Sequence, residues 1–335
     1  MLKKRFINVI INYYNHFNGG ILYFMNGPNH LNELQKRIID LKRQKNAVIL
    51  GHFYQTVDIQ VIADHVGDSF DLSKRAKNAE ENLIVFCGVK FMAESAKLLS
   101  PHKKVLLPNP NAGCPMADMI NPDIVKNLRK EHPNAAVVCY VNSSAETKAE
   151  CDICCTSSNA VNIVRKIGAE EIIFVPDKNL GAYVAKFVPE KKFIYMNGFC
   201  PIHKNITVEE ASAKKQEFPG SKFAVHPECE PDVVELADFV GSTSQILNYC
   251  ETGSHEEYII GTEYAIAERL RYYHPGSNYY ILSPSLVCPN MKKTTMQDIY
   301  DCLAGTPGMA GCEIELPGEL IARANKPLER MLELA

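Results

Sequence analysis

A cysteine followed by proline occurs three times at nearly equal intervals, and no other feature constrains this chain as strongly. Cys114, Cys200 and Cys288 lie 86 and 88 residues apart. Each closes a short apolar run that reads as a strand, at Lys104 to Leu107, Phe193 to Met196 and Tyr279 to Leu282. Solenoid repeats have periods of roughly 20 to 50 residues, so a unit of this size is a whole small domain. Three units around a common axis would bring the three thiolates to one point, a metal site with three protein ligands and one open corner.

Aligned outward from the cysteines, the copies agree through most of each unit. Each opens with a strand, at Ala47 to Gly51, Ala135 to Cys139 and Lys222 to Val225. Polar residues follow at i and i+2: His52 and Tyr54, Tyr140 and Asn142, His226 and Glu228. Ala63-Asp64-His65-Val66-Gly67-Asp68-Ser69 nearly repeats as Ala237-Asp238-Phe239-Val240-Gly241-Ser242-Thr243, and Cys151 to Ser157 holds that place in the middle copy. Ser69, Ser157 and Thr243 are therefore equivalent. They precede or open helical patterns such as Leu72 to Asn78 and Val161 to Ile167, where a hydroxyl is a natural N-cap. A second strand follows (Leu83 to Phe86, Ile172 to Val175, Tyr258 to Ile260), then a helix, then the strand that ends at Cys-Pro.

Apolar strands alternating with helices predict small parallel sheets covered on both faces. The expected fold is α/β, with three homologous three-layer units. Ligands of such sheets gather at the carboxyl ends of the strands, where the polar pairs and the cysteines both lie. Residues 1–28 read as an N-terminal extension, with Met25 a possible start just ahead of a helix at Leu31 to Lys45. The first domain is expected over 29–114 with 290–335, the second over 115–200 and the third over 201–289. The tail reads as a helix (Thr294 to Leu303), a Gly-rich turn, a strand (Cys312 to Leu316) and a helix (Glu319 to Leu334) that complete the first domain.

Charge and cysteine content narrow the function. With 36 Lys plus Arg against 39 Asp plus Glu among 335 residues, no basic surface suggests nucleic acid. The twelve cysteines sit in a chain too long to need disulfide staples, which points to a reducing cytoplasmic location. Met1 to Arg5 is basic, but the apolar stretch after it, about six residues, is shorter than the seven to fifteen of an export signal. No run approaches the roughly 18 apolar residues of a membrane span.

Most free cysteines are small buried hydrophobes. Cys151, Cys154 and Cys155 stand where the other copies carry Ala63, Val66 and Gly67 or Ala237, Val240 and Gly241, so they read as a packed helix end. The three Cys-Pro positions match one another. Proline lacks an N–H and fixes the chain direction there. Soft thiolates suit zinc or an iron–sulfur cluster. The close cysteine pairs of structural zinc are missing from these loops, which favours a cluster with one reactive iron. Helix amino termini beside the hydroxyls would add an anion-binding ring.

The chain resembles quinolinate synthase, the iron–sulfur enzyme of pyridine nucleotide synthesis, from about Leu31 onward. The blocks that carry the resemblance include Gly51-His52-Phe53-Tyr54-Gln55, Gly67-Asp68-Ser69-Phe70-Asp71-Leu72-Ser73, Phe91-Met92-Ala93-Glu94, Gly113-Cys114-Pro115-Met116-Ala117-Asp118-Met119, Tyr140-Val141-Asn142-Ser143-Ser144-Ala145, Pro176-Asp177-Lys178-Asn179-Leu180-Gly181, His226-Pro227-Glu228, Gly241-Ser242-Thr243-Ser244 and Pro327-Leu328-Glu329-Arg330-Met331-Leu332. It implies a triplicated αβα fold about a pseudo-threefold axis. It also implies a [4Fe-4S] cluster bound by Cys114, Cys200 and Cys288, with the fourth iron left to the substrate. The implied reaction is a transferase-type condensation of iminoaspartate with dihydroxyacetone phosphate to quinolinate, with loss of phosphate and two waters, for NAD biosynthesis. An iminoaspartate-producing enzyme becomes a functional partner.

By the same resemblance Tyr54, His52, Tyr140, Asn142, His203, His226, Glu228, Ser69, Ser157, Ser242 and Thr243 line the cavity. Glu228 and Tyr54 are assigned to proton transfer, with Tyr140 and His226 in the catalytic group. His52, His226 and the cap hydroxyls are assigned to carboxylate or phosphate, and Lys204 adds positive charge beside His203. Some relatives carry extra cysteines just before the third ligand; Ser283 to Val287 contains none, which argues against a redox switch there. Two alternatives share the cluster: a hydro-lyase of another substrate, and a sensor or scaffold without turnover. A sensor has no use for Glu228 and Tyr54 in the cavity.

Overall fold

The structure, a computed structural model, describes residues 31–309 and 311–335. The expected extension at 1–28 lies outside the described residues. The first unit runs α1 (Glu33–Gln44), β1 (Ala47–His52), α2 (Val57–Ile62), β2 (His65–Gly67), α3 (Ser69–Asn78), β3 (Leu83–Cys87), α4 (Lys90–Leu99) and β4 (Lys104–Leu106). The second runs α5 (Pro122–Glu131), β5 (Ala136–Tyr140), α6 (Ala145–Lys148), β6 (Ile153–Cys155), α7 (Ala160–Lys166), β7 (Glu171–Val175), α8 (Lys178–Ala185) and β8 (Lys192–Tyr195). The third runs α9 (Pro201–Lys204), α10 (Val208–Glu217), β9 (Lys222–Val225), α11 (Pro231–Glu235), β10 (Phe239–Val240), α12 (Thr243–Thr252), β11 (Glu257–Gly261), α13 (Ala265–Tyr273) and β12 (Asn278–Ile281). Two helices follow, α14 (Met296–Ala304) and α15 (Gly318–Leu334).

These strands form three four-stranded sheets in the same order, β2-β1-β3-β4, β6-β5-β7-β8 and β10-β9-β11-β12. Every pair between them is parallel. This is the α/β class expected, three small sheets in three αβα units. The fourth strand in each, of two or three residues, is too short to leave a periodic signal. A carboxylate holds it instead. Asp64 accepts the Ile49 N–H at 2.8 Å, Asp152 that of Val137 at 2.7 Å and Asp238 that of Phe223 at 2.9 Å. Each aspartate also donates its own N–H to the carbonyl of the same residue. Cys154 and Cys155 fall in β6, so the expected helix end is a sheet edge, and both are fully buried.

Burial on both faces explains the apolar strands. Along β1 and β3 the side chains alternate. Val48, Leu50, Ile84 and Phe86 pack on Leu72, Ala76, Ala96 and Leu98 of α3 and α4. On the other side Ile49 and Val85 meet Ile38 of α1 and Ile299 and Leu303 of α14. In the third unit Phe223 and Ile259 face Ala211 and Val233, while Ala224 and Ile260 face Ile246, Ile266 and Leu270.

The tail divides between units. α14 packs on α1, as expected. α15 lies against β6, α6 and α4, burying Ala324, Leu328 and Met331 in the core shared by the first two sheets. Arg330 donates to the Asp152 carbonyl, and Lys166 to that of Leu334 at 2.6 Å. The strand expected at Cys312 to Leu316 is reduced to one antiparallel bridge, Leu106 to Glu313. The edge of β4 is thus covered by a short segment.

Candidate active site

The first strand of each sheet ends at the same place. β1 ends on His52, β5 on Tyr140, and His226 follows β9 directly. These residues and those two positions on, Tyr54, Asn142 and Glu228, line one cavity of about 190 Å3. Ser69, Ser157, Thr243, His203 and all three Cys-Pro cysteines line it too. A water takes about 30 Å3 of liquid, so the space admits a group of many atoms. Three sheets converge by their strand ends on this one space.

Six side chains form a continuous hydrogen-bonded chain across the units. The Tyr140 hydroxyl donates to Glu228 Oε1 at 2.6 Å, and His203 Nδ1 lies 2.6 Å from Glu228 Oε2. His203 Nε2 is 3.0 Å from Thr262 Oγ1, which is 2.9 Å from the Tyr54 hydroxyl. Thr243 Oγ1 donates to that hydroxyl at 3.0 Å. Two equivalent turns orient the rings: the Tyr54 N–H donates to His52 Nδ1, and the Glu228 N–H to His226 Nδ1. The His203 and His226 rings stack with centroids 4.7 Å apart.

The charges follow from these partners. Burial opposes ionisation of Glu228, but His226, His203 and the Tyr140 hydroxyl outweigh it and hold the carboxyl down at about 2. Burial lowers His52 and His226 to about 3, so both are neutral imidazoles near neutrality. Burial, then the Glu228 charge, pushes Tyr54 and Tyr140 well above the usual phenol range. Burial also raises the three thiols, Cys114 to about 12; Cys114 senses Cys288, and Cys200 senses both of the others. A metal bound by these thiols would displace their protons.

Several expected groups stand differently. Ser242 caps α12, accepting the Gln245 N–H, and its neighbour Thr243 lines the cavity. Asp68 rather than Ser69 caps α3, accepting from Phe70 and Asp71 at 3.0 Å and from Ser244 at 2.6 Å. Ser69 and Thr243 each occupy the first helical position. The expected ring of free helix ends is thus partly satisfied internally, and at α3 by a carboxylate. Lys204 turns to Glu230 at 2.7 Å. Among the described residues, those lining the cavity include no Lys or Arg.

Two neighbours were not expected. Thr262 joins Tyr54 to His203, and Glu263 lines the cavity while forming a buried ion pair with Lys292 at 3.0 Å. Extending the repeat alignment to the turn after β11 would have exposed them.

The donors suit a cluster with an open corner. Three thiols come from three separate loops, and Asn142 Oδ1 is buried with no hydrogen-bond partner, free for an incoming group. Cys200, His203 and Glu228 also hold donor atoms within 4.8 Å of one another, but His203 and Glu228 already satisfy each other. A family model described as quinolinate synthetase A protein matches residues 36–333. The chain belongs to that family. It is 51% identical over 301 residues to the quinolinate synthase of Caldicellulosiruptor bescii, covering 90% of this chain and 98% of the relative. It is 50% identical over 310 residues to that of Alkaliphilus metalliredigens (92% and 100%) and 47% identical over 310 residues to that of Aquifex aeolicus (91% and 95%). No helix among the described residues of this family member is long and apolar enough to cross a membrane.

Proposed function

We propose that this chain condenses iminoaspartate with dihydroxyacetone phosphate to quinolinate, releasing phosphate and two waters, as a transferase-type step toward NAD. Cys114, Cys200 and Cys288 hold a [4Fe-4S] cluster and leave one iron for substrate. The observation that carries this reading is the convergence of the three Cys-Pro loops on the cavity that contains Tyr54, Tyr140 and Glu228. When bound, such a cluster supplies a Lewis-acidic iron toward a departing hydroxyl or a carboxylate.

The chain's own residues supply the rest. Glu228, ionised and gripped by Tyr140 and His203, accepts a proton during isomerisation or dehydration, and the bonded chain to Tyr54 returns one. Neutral His52 and His226 donate to carboxylate or phosphate oxygens without competing with Glu228 for charge. Asn142 Oδ1, unpartnered, accepts from an amine or hydroxyl and helps orient two reactants. Ser69, Ser157 and Thr243 add hydroxyl donors. No Lys or Arg among the described residues lines the cavity, so neutral dipoles hold the anionic groups.

The three units are assigned boundaries at 29–114 with 290–335, 115–200 and 201–289, as a triplication about a pseudo-threefold axis. A thiol-ligated cluster favours the reducing cytoplasm, and unstable iminoaspartate requires a producing enzyme as functional partner. The test is quinolinate formation by anaerobically purified protein from the two named substrates. An intact brown cluster without product would overturn the assignment and leave a cluster-bearing sensor.

A further inference from the structure

Two buried carboxylates hold the backbone of two cluster cysteines. Asp177 Oδ2 accepts the Cys200 N–H at 3.2 Å, and Glu263 Oε1 accepts the Cys288 N–H at 3.1 Å. Both acids are fully buried. They occupy the same position of the repeat. The residue after each donates its N–H to the carbonyl two residues before the cysteine: Lys178 to Gly198 at 2.9 Å and Tyr264 to Leu286 at 2.7 Å. In the first unit the same bond runs from Lys90 to Ala112 at 2.8 Å. Val89 therefore stands in the position of Asp177 and Glu263, with no side-chain acceptor for Cys114.

Each carboxylate also grips the start of its own helix. Asp177 Oδ1 accepts from Leu180 at 2.7 Å, and Glu263 Oε2 from Ala265 at 2.8 Å. One oxygen of each thus bonds the helix and the other the ligand loop, a brace between them, and in Glu263 both oxygens also pair with Lys292 at 3.0 and 3.2 Å. Helix capping alone needs only the first oxygen. The second bond is what a structural cap leaves unexplained.

We infer that Asp177 and Glu263 are positioning residues that aim the Cys200 and Cys288 thiolates at the cluster, while the Cys114 loop keeps the backbone bond from Lys90 to Ala112 without such a carboxylate. This rests on the proposal that these three cysteines ligate the cluster. Groups bonded to metal ligands fix ligand orientation, and their loss typically costs 10- to 100-fold in metal affinity. An amide has one acceptor oxygen rather than two, so Asn or Gln keeps the cap or the cysteine bond but not both.

The test is chelator-driven iron loss from anaerobically loaded enzyme, followed with the cluster's Mössbauer spectrum. Asp177→Val and Glu263→Val, which install the residue the first unit uses, are expected to lose iron about tenfold faster or more. Asp177→Asn and Glu263→Gln should fall between, and they keep the test available if the valine variants do not fold. Asp238→Ala removes a comparable carboxylate-to-backbone bond away from the cavity and should lose iron as the wild type does. Wild-type loss rates and spectra in the Asp177 and Glu263 variants, with melting temperatures lowered as for Asp238→Ala, would reduce both acids to ordinary caps. Wild-type protein that takes up no iron would instead reject the cluster reading beneath the inference.

Discussion

The Tyr140 hydroxyl donates to Glu228 Oε1 at 2.6 Å, joining the end of the second sheet to the third across 88 residues of chain. With His203 on the other oxygen, Glu228 is both charged and immobile. Glu228→Gln should lower quinolinate turnover by about 100-fold or more, since positioned acid–base groups contribute on the order of 10²–10⁴. Tyr140→Phe removes one bond to a charged acceptor, worth about 1.5–3 kcal/mol, and should cost roughly tenfold or more. Steady-state product formation at unchanged iron content decides both.

Thr262 Oγ1 links Tyr54 to His203 in the bonded chain. Thr262→Val keeps the shape and removes the hydroxyl, leaving buried groups short of a partner at about 1–3 kcal/mol. Turnover should fall while iron content holds. Wild-type turnover would separate the two halves of the chain functionally.

Replacing Cys114, Cys200 or Cys288 by Ala should each reduce bound iron and abolish turnover, whereas Cys154→Ala, buried in β6, should retain both. Chelation of the wild type should likewise stop product formation, and anaerobic reloading should restore it. Iron per chain and visible absorbance read the outcome.

Glu268 on α13 is pushed up to about 7 by burial, with Lys292 opposing the shift and Glu263 adding to it. The folded protein keeps a proton there that the unfolded chain releases near the ordinary 4.5. Stability from this group is therefore full at acid pH and declines as pH rises from about 4.5 through 7. Glu268→Gln should flatten that decline, which amounts to at most about 3 kcal/mol. Denaturant unfolding on either side of the window compares the two proteins.

Gly198 lies two residues before Cys200, and a side chain there would run into the Pro176 carbonyl oxygen. Gly198→Ala must displace backbone rather than a flexible side-chain end. Both a lower melting temperature and weaker iron retention are expected, the latter because the displaced loop carries the thiol.

Much of the site was legible because the repeat reports equivalence. His52, Tyr140 and His226 share a strand end, and the same period picked out the three cavity cysteines. The short strands were missed because two or three residues carry no periodicity; Asp64, Asp152 and Asp238 mark them chemically instead. The register of the repeat also holds at the helix starts, where Asp68 and Ser242 are the caps and Ser69 and Thr243 the first helical residues.

The unit, its parallel sheet and the residues at each strand end could be read from residue order, since local apolar patterning and a fixed period are written along the chain. That Glu228 meets Tyr140 and His203, that Thr262 bridges Tyr54 and that α15 spans two units emerged from the folded chain alone. Those relations depend on how separate sheets pack against one another, and residue spacing within a unit does not encode the distance between units.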